Sequence, residues 1–493
     1  MPSSKVRAPA ALSPFREAFR RIRAQFALPA GFPAEVDAEA AAVAQRGPIT
    51  PPDAASTERR DARDLPFVTI DPPGSMDLDQ AFHAEQVPGG FRVHYAIADV
   101  ASFVTPGGAL ERESFARGVT VYLPDGRVPM LPAVIGEGAA SLLPDQQRPA
   151  LLWTIELDRD GATTSTRLER ATVRSRAALD YATVETWLEH GQADQPLILL
   201  RDVGRLRQAL EAARGGVSLD IPTQEVVASG DGKFGLEYAA PLPVEGWNAQ
   251  ISLLAGMEAA KIMIDAHLGI LRTLPPPPRA QVDRLRRTAR ALRVPWPADR
   301  PWPAIVRDLD VNDPDHAAFM VQATHVLRGA GYATLDASVT TGAPVPIHAG
   351  IAAPYAHVTA PLRRLADRYA NEIVLAHCAG RAPPTWARDA LDELVTTMQR
   401  AMQREAGIEH AVVNAVECAL LAPCVGEQFD GIVVDENHEG VVVQLRRPAV
   451  VAPMLAHLPL GEQVEVTVVA VDPVARRVEL APTPPTPPAS PTM

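Results

Sequence analysis

The stretch Val68 to Phe82, VTIDPPGSMDLDQAF, is the strongest constraint on what this chain can become. An apolar, β-branched run ends in Asp71, a Pro-Pro-Gly-Ser turn follows, and Asp77 and Asp79 come directly after it. Three carboxylates within nine residues raise one another's pKa, so bringing them together is unfavourable unless a cation or water meets them. A hard divalent ion, Mg²⁺ or Mn²⁺, takes oxygen ligands of this kind and commonly serves phosphate chemistry. A solvated acidic turn is the competing reading, since Asp also favours turns for its local hydrogen bonds.

A second stretch, Tyr355 to Tyr369 (YAHVTAPLRRLADRY), gathers Arg363, Arg364 and Arg368 around Asp367. Thr359 as cap and Pro361 as first helical residue predict a helix over 361–378. Arginines in a first helical turn sit beside unsatisfied amides, a combination suited to phosphate. An ordinary charged helix face is the alternative.

At 493 residues the chain exceeds what one core sustains, so two or three domains are expected. Residues 1–64 predict a helical N-terminal module and linker: Ser13 and Pro14 open one helix and Ala34 to Gln45 form another, stopped by Gly47. Helix-turn-helix is one option for it; an extension packed on the main domain is the other. Over 65–418 the pattern predicts a large mixed domain. Its strands lie near 67–70, 91–97, 151–157 and 163–173, and its helices near 179–191, 199–213, 246–268, 279–293, 315–330, 361–378 and 384–417. Short strands with glycines at the bends return over 421–482 and suggest a small OB-fold barrel. A Pro/Thr-rich tail, 483–493, reads as disordered. The fold class is therefore α+β.

Charge narrows the partners. With 47 Lys and Arg against 59 Asp and Glu, the net of -12 excludes a protein that coats nucleic acid by bulk attraction. A polyanion would need a local basic site. All the cations except Lys5, Lys233 and Lys261 are arginines, the side chain suited to bidentate phosphate contacts. Cys378, Cys418 and Cys424 form no CxxC pair, and no apolar run is long enough to span a membrane, so a cytoplasmic protein is expected.

Together the two motifs resemble the ribonuclease II / ribonuclease R family. The acidic run is similar to that family's catalytic signature, a VTIDP-type strand followed by Asp, five residues, Asp, one residue and Asp-Asp; the arginine run resembles its TSPIRRYxD motif. HYAIADVASFV (94–104), VYLPDGRVPMLP (121–132) and SLLPDQQRPALLWTIELDRDG (141–161) follow the family order, as do Arg272 and Pro275. The resemblance covers about 65–415, and the C-terminal barrel resembles the ribosomal-type OB domain that follows it in the family.

What the resemblance implies is an RNB-type catalytic domain that hydrolyses single-stranded RNA from its 3′ end to nucleoside 5′-monophosphates, with Mg²⁺ or possible Mn²⁺ as cofactor. By position, Asp71, Asp77 and Asp79 fall on the catalytic, metal-holding aspartates, Arg363 on the arginine that contacts the scissile phosphate, and Tyr122 on the aromatic that stacks on the terminal base. Arg364 and Arg368 are further RNA-binding candidates. Gln80 stands where the family has its fourth aspartate, leaving a neutral amide at the metal position and predicting weaker or altered metal binding. Ala360, Leu365, Asn371-Glu372, Gln250 and Gly256 also depart from the pattern, with lost supporting hydrogen bonds as the expected consequence. About 65 residues precede the catalytic region, too few for a pair of cold-shock barrels, so the helix with Arg16, Arg20 and Arg23 is the candidate RNA entry. An active exoribonuclease is the first reading. A catalytically impaired descendant that binds RNA 3′ ends or a protein partner as a regulator is the alternative.

Overall fold

The computed structural model describes residues 6–7, 15–52, 58–217, 223–228, 234–310, 313–335, 344–436, 440–445, 448 and 450–483. The Ser13–Pro14 cap, Arg446, Arg447 and the tail from 484 onward lie outside them.

The centre is a sheet of β1 (Phe67–Asp71), β2 (Gln80–Val87), β3 (Gly90–Ala98), β6 (Gln147–Asp158) and β7 (Thr163–Asp180), with a small hairpin of β4 (Val121–Leu123) and β5 (Gly126–Val128) beside it. Neighbours β2, β3, β6 and β7 pair antiparallel in chain order. At 18 residues β7 is long enough to pair twice. Its first part runs along β6, and Ser175 to Asp180 run parallel to β1, so the ring of pairings closes on the strand that carries Asp71. The sequence reading missed β2, because its buried positions run consecutively from Ala81 to Ala84 and leave no period-two signal.

Helices α1 (Arg16–Gln25) and α2 (Ala34–Arg46) bury Phe19, Ile22, Val36, Ala40 and Val43 in the same core as the sheet. They are an extension of the main domain and not a free-standing helix-turn-helix. Arg20 pairs with Glu17 within α1, and Arg23 pairs with Asp125 of the main domain.

Four more helices matter to the site: α3 (Pro243–Asp265), α4 (Arg279–Ala291), α5 (Leu365–Cys378) and α6 (Leu391–Leu421). Two further strands, β8 (Gly269–Thr273) and β9 (Gly331–Leu335), pair antiparallel between them. The expected helix at 384–417 is split into a short turn of helix, Thr385–Asp389, and α6.

The expected helix start at Pro361 is corrected to Leu365, with Arg364 extended at φ -144° and ψ 119°. Competing partners explain the delay. The Arg363 carbonyl accepts from Thr120 N at 2.9 Å, Leu365 N donates to Gly118 O at 3.0 Å, and Leu362 N is taken by a carboxylate described below. Asp367 accepts from Ala360 N at 2.7 Å and from Arg364 at 2.5 and 2.8 Å, closing the turn from the helix side.

The C-terminal strands β10 (Gln428–Glu436), β11 (Val441–Leu445), β12 (Val451–Met454), β13 (Gln463–Asp472) and β14 (Arg477–Pro482) form a closed five-stranded barrel, as the OB expectation required. Its interior valines join the main core through α6. A second, smaller core gathers α4, the helix Pro314–Ala323 and the segment between them around Leu285, Leu292, Ile305 and Phe319. No helix among the described residues is long and apolar enough to cross a membrane.

Candidate active site

Asp71 ends β1, Asp79 immediately precedes β2, and the Pro-Pro-Gly turn between them carries Gly74 at φ +80°, a conformation that favours glycine. Sheet pairing therefore fixes both carboxylates at one end of the ring. Asp79 is only 2% exposed; its Oδ1 accepts from Leu362 N at 2.8 Å and its Oδ2 lies 3.4 Å from Arg363 Nε. Burial pushes its pKa up to about 8 against the opposing pull of Arg363. Asp71 has no hydrogen-bond or ion-pair partner among the described residues, and burial, with Asp77 nearby, raises it to about 6.

Asp77 is held differently. A two-residue turn at Pro124–Asp125 puts Tyr122 directly opposite Arg127 across the β4–β5 hairpin. The Tyr122 hydroxyl donates to Asp77 Oδ2 at 2.9 Å, and Arg127 Nη1 reaches Oδ1 at 2.5 Å. Arg127 also pairs with Glu137 at 2.6 Å. Tyr122 remains 49% exposed, its ring face open to solvent chemistry while its hydroxyl is tied to the carboxylate.

Gln80 commits its side-chain oxygen to a neighbouring strand. It accepts from the buried Tyr95 hydroxyl at 2.5 Å, with Ser252 Oγ 2.8 Å from the same hydroxyl. Arg364 is spent on Asp367, and Arg368 is 4% exposed, bound to Glu111 at 2.7 Å and to Val104 O at 2.8 Å. Arg368 lies in the core, its guanidinium 4.5 Å from the centre of the Trp386 ring. Asp71, Asp77, Asp79, Arg363 and Tyr122 are brought together; Gln80, Arg364 and Arg368 are engaged elsewhere.

The polar residues at the departures noted in the sequence each make one strong contact and leave one buried side-chain oxygen, on Gln250, Asn371 and Glu372, without a hydrogen-bond partner among the described residues. Glu372 pairs with buried Arg170 at 2.5 Å, which also binds Asp99 at 2.6 Å, and Asn371 donates to Val358 O at 2.7 Å. Gln250 bonds Glu211. At Gly256 a Cβ would stand 2.1 Å from the Tyr355 ring, so only glycine fits. Arg127, Tyr95 and Ser252 were missed as site residues. For Arg127 a signal existed, because the tight turn fixes its register opposite Tyr122.

Residues 59–380 match the family model described as the RNB domain, about two thirds of the chain. The chain belongs to the RNB family. Residues 427–483 match the RNase II-type exonuclease C-terminal S1 domain, which coincides with the closed barrel. Among curated relatives, Exoribonuclease 2 of Vibrio cholerae is 28% identical over 419 residues, 80% of this chain and 59% of that protein. The exosome complex exonuclease RRP44 homolog A of Arabidopsis thaliana is 30% identical over 358 residues, 69% of this chain and 38% of that protein. The chain thus spans between roughly a third and three fifths of the relatives it matches. In fold it is similar to Mycoplasma genitalium RNase R solved with ribose-methylated single-stranded RNA, with a TM-score of 0.81 at 20% identity, covering 95% of this chain and 78% of that one.

Proposed function

We propose that this RNB protein is a 3′-to-5′ hydrolytic exoribonuclease acting on single-stranded RNA with the aid of Mg²⁺ or Mn²⁺. The observation that carries the reading is the meeting of Asp79 with Leu362 N and Arg363, nearly three hundred residues away in sequence, beside the unpartnered Asp71. Such a pairing of buried carboxylates with a guanidinium suits a phosphodiester, whose oxygens Arg363 can neutralise as charge develops on them.

The donor set fits a hard cation. Asp71 and Asp79 are both raised by burial against the opposing pull of Arg363, a condition that a divalent ion relieves. Asp71 and Asp79 would hold it. Asp77 is turned to Tyr122 and Arg127, and no group of three His, Cys, Asp or Glu side chains among the described residues stands as a ready ligand cluster. When bound, the metal supplies Lewis-acid stabilisation and lowers the pKa of a nucleophilic water.

The chain's own residues do the rest. Tyr122 offers its open ring face to the terminal base, and stacking of this kind tolerates any base. Arg363, 43% exposed at its side chain, is placed to bind the scissile phosphate while Asp79 orients its guanidinium. Water adds to phosphorus, the P–O3′ bond breaks, and a nucleoside 5′-monophosphate leaves a shortened chain ending in a new 3′ hydroxyl.

The test is purified protein with 5′-labelled single-stranded RNA, with and without Mg²⁺. Stepwise shortening from the 3′ end that needs the metal supports the reading; an intact band under both conditions overturns it. The regulator reading is favoured by one observation, the commitment of Gln80 to Tyr95. It predicts RNA binding without cleavage, and restoration of cleavage by Gln80→Asp.

A further inference from the structure

Helix α4 carries five arginines against one aspartate, and Arg293 follows just beyond its end, in a chain whose net charge is -12. Their placement is not scattered. At 100° per residue, Arg279, Arg286 and Arg290 fall on one stripe with Arg287 at its edge, while Leu285, Thr288 and Ala289 fall on the other side and are buried; Arg293 is exposed just past the helix end, at φ +55°. Helix rise spreads Arg279 to Arg290 over about 17 Å.

Two of the arginines hold the helix in place. Arg284 pairs with Asp435 of the barrel strand β10, and Arg286 lies 4.9 Å from the Trp296 ring centre and donates to Ala298 O at 3.2 Å. Arg279 is 96% exposed and only 3.9 Å from Asp283 at its closest. Arg287, Arg290 and Arg293 are exposed, with no hydrogen-bond or ion-pair partner among the described residues. Placing Arg290 in the last turn complements the helix dipole, but that reason does not extend to Arg279 or Arg287 near the start and middle.

The barrel beside this helix is acidic: nine acidic residues against four arginines over 421–482. Helix α4 places a cluster of exposed arginines beside that acidic barrel. We propose that the α4 stripe is a second RNA-binding surface, which holds the phosphate backbone of the substrate upstream of the 3′ end being processed. The proposal rests on RNA being the substrate but not on the chain being catalytically active. Guanidinium groups on a rigid helix read charge and not sequence, so the surface takes any single strand long enough to reach it.

The experiment measures binding of the full chain to a long fluorescent single-stranded RNA, in metal-free buffer across a salt series. Arg287→Ala/Arg290→Ala/Arg293→Ala should lower the slope of log affinity against log salt by about 2, at roughly 0.7 per lost contact, and weaken binding by about tenfold or more at low salt. The corresponding triple Lys variant should restore the slope, and Asp283→Asn should tighten binding slightly. Hydrolysis of a dinucleotide, which has no phosphate upstream of its scissile bond, should keep its rate. An unchanged slope and affinity in a triple Ala variant that melts like the parent overturns the proposal. So does an equal loss on removing the exposed Arg381 and Arg388 instead, or a loss confined to acidic peptides with RNA binding intact. A chain that binds RNA through the stripe yet never cleaves it would overturn the proposed catalysis and leave this surface standing.

Discussion

The two halves of the carboxylate cluster are built by opposite means. Asp79 sits in the core, fixed by sheet pairing, by a backbone amide and by a guanidinium that enters from a distant turn. Asp77 is half-buried and held by the side chains of a three-residue-per-strand hairpin, itself tethered to α1 through Arg23 and Asp125. A core-built position keeps its geometry whether or not a ligand is present. A position held by exposed side chains can be re-partnered by one, since each such contact is individually weak. The difference suggests a division of labour: the Asp71–Asp79–Arg363 half performs chemistry, and the Asp77–Tyr122–Arg127 half receives the terminal nucleotide.

The largest effect is expected from the core half. Asp79→Asn keeps the shape and removes the charge, so cleavage of single-stranded RNA should fall by about two to three orders of magnitude with little change in melting. Activity near the parental rate would break the comparison outright. Behind this half lies the buried Arg170–Glu372–Asp99 network, each member under about a tenth exposed. Glu372→Ala leaves a buried guanidinium short of a partner, and denaturant unfolding should show a loss of roughly 3–5 kcal/mol. The equivalent cut in the surface half, Arg127→Ala, should cost under about 1 kcal/mol, because its pairs are solvent-accessible. Equal losses would mean that the two halves are equally core-built.

Tyr122→Ala sharpens the comparison from the ligand side. Removing a stacking platform worth about 1–3 kcal/mol should raise KM for RNA roughly fivefold to a hundredfold, with kcat changing less. A fall confined to kcat would place Tyr122 with the chemistry.

The sequence made the core half legible and the surface half only partly so. Asp71, Asp79 and Arg363 announce themselves because strand ends and turn prolines leave clear marks, and because carboxylates that close demand an explanation. The helix start was misplaced by four residues, since the amides after Pro361 are claimed by partners from residues 79 and 118–120 that no local pattern reveals. Arg368 looked like its neighbours in the motif, yet helix geometry turned it inward to Glu111. Gln80 looked like a weakened ligand; what could not be seen was Tyr95, which lies on the adjacent strand and gives the amide oxygen a different task. The N-terminal helices were found by their periodicity, but periodicity does not say which core an apolar stripe joins.

The smallest expected effect is on stability against pH, and its sign separates the halves. Asp71 at about 6 and Asp79 at about 8 both stand above the ordinary carboxylate range, with burial as the leading cause. A native state that holds protons more tightly than the unfolded chain loses stability as pH rises through the raised values. Metal-free protein should therefore melt progressively lower between about pH 5 and 8.5, by a few degrees at most for a chain of this size. Mg²⁺ should flatten the slope, because the cation takes over the charge that the protons had neutralised. Asp79→Asn should remove the upper part of the slope and leave the part near pH 6, which belongs to Asp71. Arg127→Ala should leave the slope as it is, since both titrating carboxyls lie in the core half. A metal-free melting temperature that rises from pH 5 to 8 would mean that these carboxylates are stabilised as anions, and that the core half is already charge-balanced without a metal.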